Sequence, residues 1–405
     1  MGNIRSLKCR ECGKEYEPQF RYVCEECFGP LDVTYAEQKV NRHTFETREK
    51  TYWRYFELLP IKDKSNIVNL HAGLTPLQYA DKLGERLGLK NVYIKNDSVN
   101  PTFSFKDRPA GVAVSRAKET GLKAVGCAST GNLASATAAH AAKAGLPCYI
   151  FAPSDIEHAK IAQALSYGAE FVAVEGTYDD ANRIASIIGD SKGYGIVNIN
   201  MRPYYVEGSK TLAYEVAEQL EWQVPDRLII PVGSGAMLNA ICKGFEELHQ
   251  LGLVDSIKNL KIVAAQPHGC APIVNAFKKG SDEVIPVEHP ETIAKSLAIG
   301  DPGDGLYVLK RLKQYGGIAE EVNDGEITDG ILLLSRTEGI FTEPAGGVSI
   351  SVMKKLIDEG KIEKDERVVC YVTGNGLKAT EAIIGLLPKL TVVKPDPAVV
   401  SAMIK

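Results

Sequence analysis

Asn100-Pro101-Thr102-Phe103-Ser104-Phe105-Lys106-Asp107-Arg108 places one lysine between aromatics and an Asp-Arg pair, where an extended segment turns into a helix. Pro101 precedes the turn, Ser104 can cap, and Pro109-Ala110-Gly111-Val112-Ala113-Val114 opens the helix. The dipole at a helix start favours anions. A lysine there is pushed towards its neutral amine, the form that attacks a carbonyl. A snorkelling helix lysine reads the same from these neighbours alone.

The pattern on either side decides the fold. From about residue 92 short apolar runs alternate with amphipathic stretches. Strands are expected at Ala124–Ala128, Cys148–Ala152, Phe171–Val174 and Ile196–Ile199, and again at Leu228–Val232, Ile262–Ala265 and Val368–Val372. Helices are expected at Leu133–Ala144, Asp155–Tyr167, Tyr178–Ile188 and Ser209–Leu220. Such alternation means α/β architecture with parallel sheets and helices on both faces. The length of the pattern predicts two such domains, with ligands at the carboxyl ends of strands between them. Residues 36–70 run from polar to aromatic, and the stretch about Tyr52-Trp53-Arg54-Tyr55-Phe56 reads as a short helix packed on the main body.

Three segments fall where a strand meets a helix or ends. Ala128-Ser129-Thr130-Gly131-Asn132 offers N–H groups and two hydroxyls for a carboxylate, and Asn132 can donate to a phenolate-type oxygen; plain N-capping fits it equally. Pro231-Val232-Gly233-Ser234-Gly235-Ala236-Met237 lets the backbone approach a phosphate, although many tight turns look alike. Tyr371-Val372-Thr373-Gly374-Asn375-Gly376 puts a hydroxyl at a strand end, able to meet a neutral ring nitrogen or to cap a turn. An imine-forming lysine, a carboxylate loop, a phosphate loop and a ring-nitrogen partner together are what pyridoxal 5'-phosphate requires.

The N-terminus carries a second pattern. Cys9-x2-Cys12 and Cys24-x2-Cys27 are knuckles at metal-ligand spacing, with Gly13 and Gly29 beside them. Four thiolates so spaced suit a tetrahedral structural zinc, which would stabilise a segment too short to bury a core. A ribbon that keeps its cysteines without metal fits the same spacing. The other five cysteines, Cys127, Cys148, Cys242, Cys270 and Cys370, stand singly in apolar runs and read as core. An odd total without a signal core at Met1–Ser6 points to a reducing cytoplasm. Gly2 with Ser6 loosely fits a myristoylation pattern and is treated as chance.

The 405 residues are 44% hydrophobic with a formal charge of -4, so neither nucleic acid nor a membrane is expected as partner.

At this point the chain resembles the pyridoxal-phosphate enzymes of the tryptophan synthase β-like fold, and within them the threonine synthases. The resemblance runs from the ribbon to about residue 390. It is carried by the Lys106 stretch, the Ser129–Asn132 loop and Arg202-Pro203-Tyr204-Tyr205-Val206-Glu207-Gly208-Ser209-Lys210-Thr211. Lys295-Ser296-Leu297-Ala298-Ile299-Gly300-Asp301-Pro302, Glu338-Gly339-Ile340-Phe341-Thr342-Glu343 and Tyr371-Val372-Thr373-Gly374 continue it, and Gly73-Leu74-Thr75-Pro76-Leu77 is similar to the family's entry motif.

The resemblance implies two doubly wound α/β domains with the cofactor between them, after a zinc-ribbon-like segment. Boundaries are expected at 1–38 for the ribbon, 39–120 with 205–405 for a large domain, and 121–204 for a small one. It implies Lys106 as the lysine bearing the cofactor imine, Asn132 on the cofactor's 3'-oxygen, Gly233, Ser234, Gly235, Ala236 and Met237 on its phosphate, and Thr373 on its ring nitrogen. Ser129 and Thr130 would bind the substrate carboxylate, and Asn200, Arg202 and Lys210 the substrate phosphate. The implied activity is conversion of O-phospho-L-homoserine and water to L-threonine and phosphate, by a cytoplasmic homodimer.

Three departures stand out. The phosphate loop lacks the asparagines of the usual Gly-Asn-x-Gly-Asn style, Phe103 stands where Gly or His is common, and Pro109 after the Lys-Asp-Arg run is unusual, though a first-turn proline suits a helix start. Rival readings are a cysteate synthase, a serine/threonine dehydratase, or a non-enzymatic module on the same fold.

Overall fold

A computed structural model describes residues 4–129, 131–154, 158–393 and 395–404, without the side chains of 158–160. The strands are β1 Ile4–Cys9, β2 Glu15–Tyr16, β3 Leu31–Tyr35, β4 Leu77–Tyr79, β5 Asn91–Asn96, β6 Val125–Ala128, β7 Cys148–Pro153, β8 Glu170–Val174, β9 Gly195–Ile196, β10 Arg227–Pro231, β11 Lys261–Pro267, β12 Ile318–Val322 and β13 Arg367–Val372. They form three sheets. The ribbon has order β2-β1-β3, a large sheet β12-β11-β10-β13-β5-β4, and a small sheet β8-β7-β6-β9. The small sheet is parallel throughout, and the large one is parallel except for the antiparallel edge strand β4.

The large sheet is covered on both faces, and its sequence says why. In β10, Leu228 and Ile230 enter one apolar cluster while Ile229 enters the other. In β13, Val369 and Tyr371 face one way, and Val368, Cys370 and Val372 the other. Side chains alternate along a strand, so an unbroken apolar run supplies two buried faces. The small sheet shares a third cluster, in which Val125, Cys127 and Ile150 meet Ala113, Val114 and Ala117 of the helix Asp107–Glu119.

That helix also lies against the helix Arg202–Ser209, and the close approach depends on Gly208. A Cβ there would come within 2.3 Å of the Arg108 carbonyl oxygen and 2.6 Å of its carbon.

The expected elements differ from the observed ones in detail. Of Ile196–Ile199 only the first residue pairs in a strand. Ile199 N–H donates back to the Ile196 carbonyl at 2.9 Å and turns the chain. Ser209–Leu220 is divided at Lys210 between the helices Arg202–Ser209 and Thr211–Gln219. The aromatic stretch forms a buried 3-10 helix, Tyr52–Leu58. The start of the helix expected from Asp155 lies outside the described residues; the observed helix is His158–Ser166.

Candidate active site

β13 runs on past its last residue to pair with the segment before Lys106. Phe105 N–H donates to the Thr373 carbonyl at 2.9 Å, Asn375 N–H to the Phe103 carbonyl at 3.0 Å, and Ser104 bridges Gly374. Lys106 and Thr373 are therefore held together by backbone. Asp107 tightens the same loop, accepting from Thr102 N–H at 2.8 Å and its hydroxyl at 3.0 Å. Phe103 adopts φ 65°, a left-handed conformation that favours glycine, and stays half exposed.

Arg108 is fully buried beneath this loop. Its Nε and Nη2 donate to Asp97 at 2.6 and 2.9 Å, and its other hydrogens reach Glu215 and the Thr211 hydroxyl. Lys95 joins Glu215 at 2.6 Å, and Thr75 of the Gly73–Leu77 motif donates to Asp97 at 2.6 Å. Buried charges must be paired and hydrogen-bonded, and these are. The network is a rigid floor for the lysine above it.

Lys106 Nζ lies 3.0 Å from the Tyr205 hydroxyl and 4.6 Å from the centre of the Phe105 ring. Among the described residues no carboxylate is within ion-pair distance of it. Asn132 opens the helix Asn132–Ala144 after β6. Its Nδ2 donates to Glu343 at 2.9 Å, and its Oδ1 accepts from Lys378 at 2.9 Å. The Thr373 hydroxyl donates to the other Glu343 oxygen at 3.3 Å. Gly235, at φ 94°, turns β10 into the helix Ala236–Gln250, leaving first-turn N–H groups at the end of the small-residue loop. An amine without a carboxylate partner, an amide, a neutral hydroxyl and a helix start thus stand at the carboxyl ends of β6, β10 and β13. That donor set fits pyridoxal 5'-phosphate.

The remaining sequence-derived candidates separate. Ser129 lies in the turn after β6; Thr130 lies outside the described residues. Arg202 pairs with Asp304, whose N–H donates to the Ser234 carbonyl of the phosphate loop at 3.0 Å. Two others are engaged by partners within the chain. Asn200 Oδ1 accepts from Ile196 N–H at 2.8 Å and its Nδ2 donates to the Tyr194 carbonyl at 2.9 Å, so the amide is engaged in closing a turn. Lys210 is fully buried between Glu207 at 2.7 Å and Glu247 at 2.9 Å, with its charge 4.2 Å from the centre of the Tyr35 ring. It ties the ribbon strand β3 to the body and is not free for a substrate phosphate. Tyr205 and Glu343 stood inside the quoted motifs, yet nothing in their residue type singled them out.

In the ribbon, the Sγ atoms of Cys9, Cys12, Cys24 and Cys27 all lie within 4.8 Å of one another. Zn–S bonds of about 2.3 Å place the corners of a thiolate tetrahedron about 3.8 Å apart. The Cys9–Cys27 and Cys12–Cys24 separations of 3.4 and 3.6 Å match that scale, and Tyr16 Oη lies 3.0 Å from Cys24 Sγ. Arg10, next to Cys9, binds Asp32 through two hydrogen bonds and lies 3.6 Å from Asp304. A cavity of about 260 Å³ lies at this seam between ribbon and body and reaches Ala236.

Comparison with known proteins agrees with the geometry. The family model described as "Pyridoxal-phosphate dependent enzyme" matches residues 68–374. A threonine synthase of Methanocaldococcus jannaschii is 43% identical over 383 residues, covering 93% of this chain and 94% of the relative. This chain belongs to the threonine synthase family. Another member, from Methanosarcina acetivorans, is 41% identical over 96% of this chain and 95% of its own. Among solved structures, threonine deaminase isoform 2 of Solanum lycopersicum has a TM-score of 0.65 at 24% identity, covering 78% of this chain and 84% of that one. Diaminopropionate ammonia lyase from Escherichia coli has a TM-score of 0.66 at 19% identity, covering 79% and 91%. These two likenesses establish the shared fold, an α/β pyridoxal-phosphate fold, and the threonine synthase family uses it here with an N-terminal cysteine ribbon. Among the described residues no helix is long and apolar enough to cross a membrane.

Proposed function

We propose that this chain converts O-phospho-L-homoserine and water to L-threonine and phosphate, with Lys106 as the residue that bears the cofactor and moves protons. The observation that carries the reading is the Lys106 amine, held by the Tyr205 hydroxyl at 3.0 Å and beside a strand-end hydroxyl, in a chain 43% identical to a threonine synthase. When bound, pyridoxal 5'-phosphate supplies an electron sink for negative charge developing on the substrate's carbon chain, which lets the γ-phosphate leave.

The chain's own residues do the rest. Lys106, as a free amine, would take protons from Cα and then Cβ as phosphate leaves Cγ, and would return protons to Cγ and Cα, with water adding at Cβ. Thr373 would meet the ring nitrogen as a neutral partner, Asn132 would hold the 3'-oxygen, and the Gly233–Met237 backbone would hold the cofactor phosphate. Ser129 and Thr130 hold the substrate carboxylate. Of the three residues read from sequence as binding the substrate phosphate, we retain Arg202, at the edge of the phosphate loop, and release Asn200 and Lys210. The four ribbon cysteines hold a structural zinc.

The assembly we propose is a cytoplasmic homodimer acting on a small molecule and not on nucleic acid. The separate sheets support a division at 1–38, 39–120 with 205–405, and 121–204. The packing of Asp107–Glu119 against the small sheet argues for counting that helix with the small unit.

The test is product analysis of the purified holoenzyme with phosphohomoserine, with phosphoserine plus sulfite, and with threonine. Threonine and phosphate are expected from the first. Cysteate or 2-oxobutyrate in its place would overturn the reading.

A further inference from the structure

Glu343 is a buried carboxyl that ends one of the quoted motifs without a role there, and the reaction as described leaves it idle. It stands at the N-cap position of the helix Pro344–Asp358, at φ -64° and ψ 164°, without a side-chain capping bond, and its own N–H donates to the Gly374 carbonyl at 3.1 Å. Its side chain is pressed against Gly374, where a Cβ would come within 2.5 Å of Oε1. One oxygen accepts from Asn132 at 2.9 Å and the other from Thr373 at 3.3 Å. A single carboxyl therefore holds both residues assigned to the edge of the cofactor ring.

The Thr373 hydroxyl has one proton. While ionised Glu343 accepts it, Thr373 has nothing to donate to an unprotonated ring nitrogen. When Glu343 carries a proton, that proton goes to Thr373 Oγ1, and the Thr373 proton is released towards the ring. The Asn132 bond survives either way, because the second oxygen accepts in both states. Asn132 is also fixed in orientation, with Lys378 on its oxygen and Glu343 on its nitrogen.

We infer that Glu343 is a positioning residue which, through Thr373, decides whether the cofactor's ring nitrogen has a hydrogen-bond donor. The inference rests on the assignment of Thr373 to the ring nitrogen. Burial supports it, raising the Glu343 carboxyl above the ordinary range against the opposing pull of Asn132, Lys378, Thr373 and Lys106. The charged groups that face it are Lys378, on the turn Gly376–Lys378, and Lys106, at the head of Asp107–Glu119; Asp107 lies beyond Lys378 and acts on it. With a raised folded pKa, the protonated form prevails at low pH and is lost as pH rises through that value. The donor to the ring, and with it some affinity for the cofactor, is lost in the same direction.

The experiment follows the cofactor absorbance and the affinity for added pyridoxal 5'-phosphate from about pH 5 to about pH 9, in the parent, Glu343→Gln, Glu343→Ala and Thr373→Ala. A Gln at 343 donates from its amide at every pH. It should keep affinity within about twofold of the parent's low-pH value and lose the parent's decline as pH rises. Glu343→Ala frees both ring-edge residues and should weaken binding about tenfold. A Glu343→Gln protein that declines with pH as the parent does overturns the inference, and this arm decides even if the Ala variant fails to fold. If Thr373→Ala binds and absorbs as the parent does, the assignment of Thr373 has failed instead.

Discussion

The Lys106 amine and the Tyr205 hydroxyl, 99 positions apart in sequence, meet at 3.0 Å. Tyr205 is buried and sits on the helix Arg202–Ser209, which packs on the helix that Lys106 begins. The amine donates to the phenol oxygen, which orients it. Tyr205→Phe keeps the ring and deletes only the hydroxyl. Steady-state assay of phosphate release should show kcat falling by about tenfold to a hundredfold, with cofactor still bound by absorbance.

Lys106→Ala should fold and be inactive. Circular dichroism should match the parent. After borohydride, mass spectrometry should find a lysine-linked cofactor at residue 106 of the parent and none in the variant.

The buried floor has its own pH signature. Burial opposes ionisation of Glu215, but Arg108 and Lys95 outweigh it and hold the carboxyl at about 2. A depressed folded pKa gives stability that is present above the unfolded value of about 4.3 and is lost as pH falls through the folded one. Acid unfolding should therefore steepen between about pH 4 and about pH 2. Glu215→Ala, which strands Arg108 and Lys95, should cost about 3–5 kcal/mol in denaturant unfolding at neutral pH.

Arg202 and Lys210 should part company. Arg202→Ala should raise KM for phosphohomoserine by about tenfold with a smaller change in kcat. Lys210→Met should leave KM near the parent's and lower Tm instead, because it leaves Glu207 and Glu247 short of a partner.

For the ribbon, metal analysis of the purified protein should give about one zinc per chain. Cys24→Ser should lose it and make residues within the ribbon the first site of limited proteolysis.

What the sequence made legible is the backbone of the site. Asn132, the Gly233–Met237 loop and Thr373 each stand where an apolar run ends, and those runs become β6, β10 and β13, while Lys106 stands at the head of the helix Asp107–Glu119. Strand ends are local events, readable from period and punctuation. The surroundings of Lys210 were not legible, because a lysine at a helix join looks the same whether it is free or locked. Its partner Glu247 is 37 residues away, across a tertiary contact. Glu343 and Tyr205 escaped for the same reason. A glutamate before a proline and a tyrosine in a helix are ordinary until the fold brings Asn132 and Lys106 to them.

Gly208 fixes how near Tyr205 can come to Lys106. The Arg108 carbonyl that a Cβ at 208 would strike is backbone and cannot swing aside. The spacing between base and phenol is thus gauged by a missing methyl group. Even alanine would act as a shim, wedging the two helices apart and lengthening the Lys106–Tyr205 hydrogen bond from a position that touches neither group.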